Sequence, residues 1–463
     1  MKIRFSSLVF FILFYTISQA QIPQLWGTNS FGGSFGIGTL YRINGDGTGY
    51  SSSYNMSSGS TYGTLSTGPG NILFGTTVSG GVSGNLGSIF SYNAAQNTYT
   101  TLFSMDSFSG YYPHQGLLLA SNSLFYGLTS QGGSANEGVL FSYNPQNGIF
   151  TKLQDLNSTN GYYPEGGLAE GPNGKLYGVA TAGGLNSSGT LFSYNLSGGM
   201  FTVEHDFIFA GGFSPWGKPV LYNNMLYGMT FGGGTLGYGL IYSFDPATST
   251  FAAIHYFNGT DGSAPTGPLC VSPAGILYGN TSQGGANNGG VIFEFDLNSG
   301  VYTKLHDYAD STGWKPMGGL MIASDGNLYG NTNFGGANSF GAVIKYDLSS
   351  GTYLKLHDCS VSEGGFPRGE LIEYNAPSGT GELPSQHETI TIGPNPSSGT
   401  ITIDFKHTTA PIHIELFTIS GKKIWQSDYL SYPGSVNLNE PAGVYFLKIT
   451  SGSYSQTGKL IFY

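Results

Sequence analysis

Charge is scarce in this chain. Only 9% of its 463 residues are Asp, Glu, Lys or Arg, and 16 cations face 26 acids, for a formal net charge of −10. A nucleic-acid surface needs clustered cations to neutralise phosphates, so that partner is excluded. Cysteine is nearly absent as well. Cys270 and Cys359 are the only two, and they fall at different places in the units described below, so two small buried thiols are expected rather than a bridge. Long apolar runs are also lacking: Leu8 to Tyr15 is too short for a spanning helix, which needs about 20 residues, so the mature chain is expected to have no transmembrane span. No stretch sustains the 3.6-residue period of an amphipathic helix. There is no His-Glu-x-x-His, no phosphate-cradling glycine loop with lysine and no Asp-x-Asp-x-Asp-Gly loop. The expectation is therefore no metal, no cofactor and no assigned catalytic residue. Gly32 to Gly36 contains Gly-x-Ser-x-Gly, but the helix that this motif requires does not follow it.

What the chain has is glycine and aromatics: 75 Gly, 31 Phe and 32 Tyr. Disordered chains are poor in aromatics and rich in charge, and glycine costs about 0.5–1 kcal/mol in a regular element, so tight, turn-rich β structure is implied. The stretch Leu277-Tyr278-Gly279-Asn280-Thr281 recurs in near copies, with its glycine at 27, 75, 127, 178, 228, 279 and 330. A fixed period of this size is the mark of a repeat architecture.

Each unit divides into four short runs with turn residues between them. After Leu277-Tyr278-Gly279 come Gly290 to Phe295, then Val301 to His306, then Gly318 to Ile322. Alternation, β-branched residues and Gly/Pro/Asn boundaries mark strands. The pattern predicts an all-β chain: a seven-bladed β-propeller of four-stranded blades closed by a C-terminal strand at 368–374, followed by a small β-sandwich. Residues 1–20 read as a signal peptide, with Lys2 and Arg4, an apolar core and Ser18-Gln19-Ala20. The repeats occupy 21–374, a small polar linker 375–388, and a separate C-terminal domain 389–463.

The loops before the fourth runs carry a Pro-x-Gly frame with variable contents: Glu165, Trp216, Thr266, Met317 and Arg368, with His114-Gln115 as a two-residue version. Variable residues in a fixed loop frame are where specificity resides. Flat aromatics beside them suit stacking on sugars or apolar chains. The candidate ligand-binding residues are accordingly Tyr112, Tyr163, Glu165, Trp216, Trp314 and Arg368. The Gly-Gly loops add neutral groups such as Asn280, Thr281, Asn331 and Thr332. His205-Asp206, His306-Asp307 and His357-Asp358 recur one per unit, which suits a turn-capping Asp better than a metal site.

The Leu-Tyr-Gly-x-Thr-x-x-Gly-Gly core and the following Gly-x-Ile-Phe-Ser-Tyr resemble the GloVer-type tandem repeat of exported bacterial proteins, over residues 22–374. The C-terminal residues are similar to the type A sorting domain of the type IX (Por) secretion system of Bacteroidota. Its carriers are Pro394, Asn395 and Pro396, then Gly421, Gly443, Tyr445 and Lys459. The resemblance implies the type IX machinery as partner and a secreted or surface-attached protein after Sec signal cleavage. The expected function is a non-enzymatic propeller that binds a glycan or surface protein. The alternatives are a carbohydrate-active enzyme (lyase or hydrolase) and a structural or adhesion protein.

Overall fold

The structure is a computed structural model. It describes residues 22–374 apart from Ser83, and the C-terminal segments 390–393, 400–405, 412–418, 422–429, 434–437, 441, 443–451 and 454–462. The signal peptide, the 375–388 linker and the motif residues Pro394, Asn395, Pro396 and Gly421 lie outside the described residues. The chain divides into two compact units, Met1–Ser378 and Gly379–Tyr463.

Among the described residues, unit 1 contains seven antiparallel sheets in succession. The sixth shows the pattern, with Cys270–Val271, Ile276–Asn280, Val291–Asp296 and Val301–Asp307 as neighbouring strands in that order. Its register explains the marker glycine. Gly279 lies opposite Phe293, and a Cβ there would stand 2.5 Å from the ring carbon Cζ. The glycine makes room for its cross-strand partner's ring. Gly27 does the same for Tyr41, Gly127 for Phe141 and Gly228 for Tyr242. In each sheet the ladder shifts by one residue next to that partner, as at Ile292/Phe293, and such a bulge increases local twist.

The expected seven-bladed propeller of four-stranded blades is corrected. Among the described residues no sheet closes on itself into a barrel or propeller, and two of the seven sheets have five strands. The first consists of Gln24–Phe31, Thr39–Asn44 and Ser51–Asn55 with two short late strands, Gly365–Pro367 and Ile372–Glu373, both paired to Gln24–Phe31. The fifth has Phe213–Pro215 and Val220–Tyr222 paired side by side on Met225–Gly232. The frame is the physical reason. Its proline ends the short strand formed by the residues before it, which read as loop, because proline donates no N–H to a ladder. The residues before the frame therefore pair separately. In other sheets that pairing shrinks to single bridges, such as Tyr162 to Ala182 and Trp314 to Phe334.

Apolar clusters fill the spaces between successive sheets; Tyr227 and Ile241 of the fifth meet Leu277, Val291 and Phe293 of the sixth. The His-Asp pairs split between two structural tasks. His306 stacks on Tyr353 of the next sheet at 3.9 Å between ring centroids, and His205 on Phe251 likewise. Asp307 Oδ1 accepts the Ala286 N–H of the Gly-Gly loop, as Asp358 does from Ala337 and Asp206 from Leu185. Both cysteines are free thiols.

Unit 2 has a three-stranded sheet, ordered Ile390–Gly393, Thr400–Phe405, Gly434–Asn437. Its four-stranded sheet is ordered Lys423–Tyr429, Ile412–Thr418, Gly443–Ser451, Tyr454–Phe462. Gly443 starts the third of these strands and pairs with Phe462, while Tyr445 pairs with Leu460 and Phe446 with Lys459. Tyr445 is buried, and its hydroxyl donates to the Pro441 carbonyl at 2.9 Å.

Candidate functional site

The frames are pinned before they present anything. The residue preceding each proline is left-handed without being glycine: Tyr112 (φ 56°), Tyr163 (50°), Ser214 (49°), Ala264 (50°), Lys315 (51°) and Phe366 (54°). Such residues carry strain that only well-determined surroundings sustain. Here the N–H of each donates to a loop carbonyl, as Lys315 does to Gly289 and Phe366 to Phe340. The kink turns the next residue inward and sets the following glycine against a neighbouring frame. A Cβ on Gly267 would stand 2.5 Å from Gly318 C, one on Gly318 2.6 Å from Arg368 O, and one on Gly369 2.7 Å from Gly63 O.

The contents of the six frames thereby meet, together with Tyr62 from the corresponding loop of the second sheet. Tyr62, His114, Gln115, Glu165, Trp216, Thr266, Met317 and Arg368 line one small cavity of about 40 Å³. The His114 ring nitrogen Nδ1 lies 2.5 Å from Glu165 Oε2, with both side chains about one quarter exposed. The Arg368 guanidinium lies 4.3 Å over the Tyr62 ring, and the edge of the Tyr62–His114 pair closes at 5.7 Å. Arg368 Nε is buried and finds no hydrogen-bond partner among the described residues. Trp216 stacks on Phe231 at 5.7 Å.

Of the residues anticipated from sequence, Glu165, Trp216 and Arg368 come together here. Tyr112, Tyr163 and Trp314 do not line the cavity. Tyr112 packs edge-on against Tyr111 and Tyr163 against Tyr162, while Lys315 Nζ lies 4.7 Å from the Trp314 ring centroid. Sequence reasoning missed Tyr62 and His114 as site residues. The period could have found them, since 62, 114, 165, 216, 266, 317 and 368 follow the same step as the marker glycines. The neutral loop residues turn inward rather than toward a ligand: Asn280 Nδ2 donates to Gly318 O at 3.2 Å and Asn331 Nδ2 to Gly369 O at 3.1 Å.

A larger cavity, about 330 Å³, adjoins the first through Gln115, which lines both. Its walls include Thr64, Thr67, Leu119, Leu168, Lys218 and Glu370. Lys218 Nζ lies 2.9 Å from Glu370 Oε2. Among the described residues no group of three or more His, Cys, Asp or Glu stands together to hold a metal ion.

A family profile described as the Gloeobacter/Verrucomicrobia repeat matches residues 15–184 and 168–380. The chain belongs to this repeat family. A second profile, the secretion system C-terminal sorting domain, matches residues 391–463. The repeat protein is thus a type IX secretion cargo, whose C-terminal domain links it to the secretion machinery and directs it to the cell surface. Among the described residues no helix is long and apolar enough to cross a membrane.

No curated protein matches the chain in sequence. Among solved structures, the Pseudomonas aeruginosa periplasmic gluconolactonase PpgL is similar at 16% identity, covering 77% of this chain and 100% of that one, with a TM-score of 0.55. A Bacteroides uniformis protein provisionally assigned as a 6-phosphogluconolactonase aligns at 15% identity over 76% of this chain and 99% of its own, with a TM-score of 0.53. At such identity the likeness is one of fold alone.

Proposed function

We propose that this exported repeat protein is a carbohydrate-active hydrolase that opens sugar lactones or esters at the frame cavity. The observation that carries the reading is the His114–Glu165 contact beside a half-unpaired Arg368. A His whose Nδ1–H donates to a carboxylate is held in one tautomer, leaving Nε2 as the base. In the proposed reaction a water gives its proton to His114 Nε2 and its oxygen attacks the carbonyl carbon. Arg368 donates to the oxygen on which negative charge gathers. The carbon–oxygen bond to the leaving group then breaks, the departing alkoxide takes the proton from His114, and the product is a hydroxy acid. The fold likeness to two gluconolactonase-type proteins supports the choice of lactones as first substrates.

The expectation of a purely non-enzymatic binder is thereby set second, since that view saw the aromatics of the face but not the His–Glu pair. The test is acid release in a pH-stat by the full-length protein, with δ-gluconolactone, other aldonolactones and methyl esters of uronic acids. Turnover that disappears in His114→Ala supports the reading. Rates equal to spontaneous hydrolysis across the whole panel would sink it.

A further inference from the structure

The frame cavity is too small for the substrate it is proposed to act on. At about 40 Å³ it holds a few waters, each needing about 10–15 Å³ of such space, and it lies far below the roughly 300–1,000 Å³ of small-molecule sites. The adjoining cavity of about 330 Å³ falls in the range of small-molecule sites. One residue joins the two. Every other Pro-x-Gly frame holds a single residue, whereas the third sheet's holds His114 and Gln115 between Pro113 and Gly116. The insertion has a visible consequence. Around the frames, Gly63, Gly166, Gly217, Gly267, Gly318 and Gly369 each press on a neighbour's backbone, with a Cβ standing only 2.5–2.7 Å away. The third sheet's frame glycine, Gly116, presses instead back on the Thr64 carbonyl of the second sheet, and on the fourth sheet's side a Cβ on Gly167 would meet the Lys218 Cβ at 3.5 Å and the Gln115 Cβ at 3.9 Å. The larger cavity is off-centre toward the second and third sheets, with Gly167 and Leu168 of the fourth beside them. Its walls omit the frames at Gly267 and Gly318.

We infer that the larger cavity is the sugar-holding half of the site and that Gln115 stands at the joint between recognition and chemistry. This inference rests on the hydrolase reading. Two inner runs line the cavities in turn: Trp216 the small one and Lys218 the large, Arg368 the small one and Glu370 the large. The larger cavity offers an ammonium donor and a carboxylate acceptor 2.9 Å apart, with Thr67 and Gln115 beside them. Thr64 is already engaged, its Oγ1 accepting the Glu370 N–H at 2.9 Å, and Ser66 Oγ donates to the Leu117 carbonyl. The leucines and Ile372 supply an apolar wall. Paired donor and acceptor groups on one side and apolar surface on the other match the hydroxyl edge and the C–H face of a monosaccharide-sized polyhydroxy acid or its lactone.

The experiment uses the full-length protein, with D-gluconate binding followed by saturation-transfer NMR and δ-gluconolactone turnover measured in parallel. Leu119→Trp fills the larger cavity from its rim, where Leu119 is 36% exposed, and Lys218→Met removes the donor. The expected result is at least a tenfold loss of gluconate binding and a tenfold rise in KM for both, with kcat within about threefold. His114→Ala should keep gluconate bound while turnover is lost. If no lactone turns over, the binding arm still decides: gluconate bound by wild type and His114→Ala but not by Leu119→Trp upholds the sugar cavity. Gluconate binding unaffected by Leu119→Trp and Lys218→Met, in variants whose thermal unfolding matches wild type, overturns it. So does the absence of gluconate binding to the wild-type protein.

Discussion

Glu165 Oε2 meets His114 Nδ1 at 2.5 Å although 51 residues separate them, one full step of the repeat. Equivalent positions of consecutive units carry complementary side chains, one an imidazole and the other the carboxylate it meets. The pair is about three-quarters shielded, so its geometry is held by the packed frames rather than by surface contacts.

Loss of the base is expected to be the more severe defect. His114→Ala should lower kcat on δ-gluconolactone by about 10²–10⁴-fold, the usual contribution of a positioned general base. Glu165→Gln retains an oxygen that can accept from Nδ1–H but removes the negative charge that stabilises the imidazolium, so a smaller loss is expected. Initial-rate kinetics on both variants checks the order. Equal rates for wild type and His114→Ala would remove the pair from the chemistry.

Arg368 offers a test that separates chemistry from stability. Its buried Nε has no partner among the described residues, and an unpaired buried polar group is a cost to the fold. Arg368→Met should therefore leave the unfolding midpoint unchanged or raised, while kcat falls about 10²–10³-fold for the loss of an oxyanion donor. Arg368→Lys keeps the charge but not the planar fork, and partial activity is expected. A Met variant that unfolds early with normal kcat per folded molecule would assign Arg368 a structural role through its contact with the Tyr62 ring.

Much of this was readable in the residues, and the part that was not has identifiable causes. The period, the strands and the export domain follow from local signals, because Leu-Tyr-Gly marks the strand whose glycine admits a cross-strand ring. The strand count failed at the first and fifth sheets, where Gly365–Pro367 and Phe213–Pro215, read as loop ahead of the inner run, pair as an extra strand on the same neighbour. The site was half-legible. Glu165, Trp216 and Arg368 stood out as variable frame residues; Tyr62 lacks the proline and was not placed with them, and His114, although grouped with the frames, shares its place with Gln115 and was not taken as a ligand-binding residue. Tyr112, Tyr163 and Trp314 drew attention as aromatics, yet they flank the kink that holds each frame. Convergence of seven positions from seven sheets is a long-range property that no local window shows.

Four histidines predict the acid behaviour. His205, His255, His306 and His357 are each held below the ordinary value of 6.5 by burial, with nearby carboxylates opposing the shift. Each is stacked on an aromatic ring of the next sheet. A group with a depressed folded value binds protons more readily in the unfolded chain, so stability falls as pH drops below about 6.5 and levels off once the folded value is passed. Urea midpoints measured from pH 7.5 to 4.5 should show that decline. His306→Phe preserves the stack without the titration and should flatten the slope in this range. A slope identical to wild type would deny His306 that role.

The glycines between frames make a packing prediction with an internal control. Gly267 has no left-handed backbone, so its requirement is space alone: a Cβ would stand 2.5–2.6 Å from the carbonyl group of Gly318 and the following nitrogen. Backbone cannot swing aside as a side chain can, so Gly267→Ala is overpacking and should cost about 1–3 kcal/mol. It must also push Thr266 and Met317 apart, and activity should fall in the folded population. Gly198 is exposed in a turn, with its nearest neighbour atoms at 3.7 Å or beyond. Gly198→Ala should therefore be neutral or slightly stabilising, since it only narrows the unfolded ensemble. Urea unfolding of the two variants side by side measures the difference. If Gly267→Ala matched Gly198→Ala in both midpoint and activity, the frames could not be in the backbone contact that brings Glu165, His114 and Arg368 into one cavity.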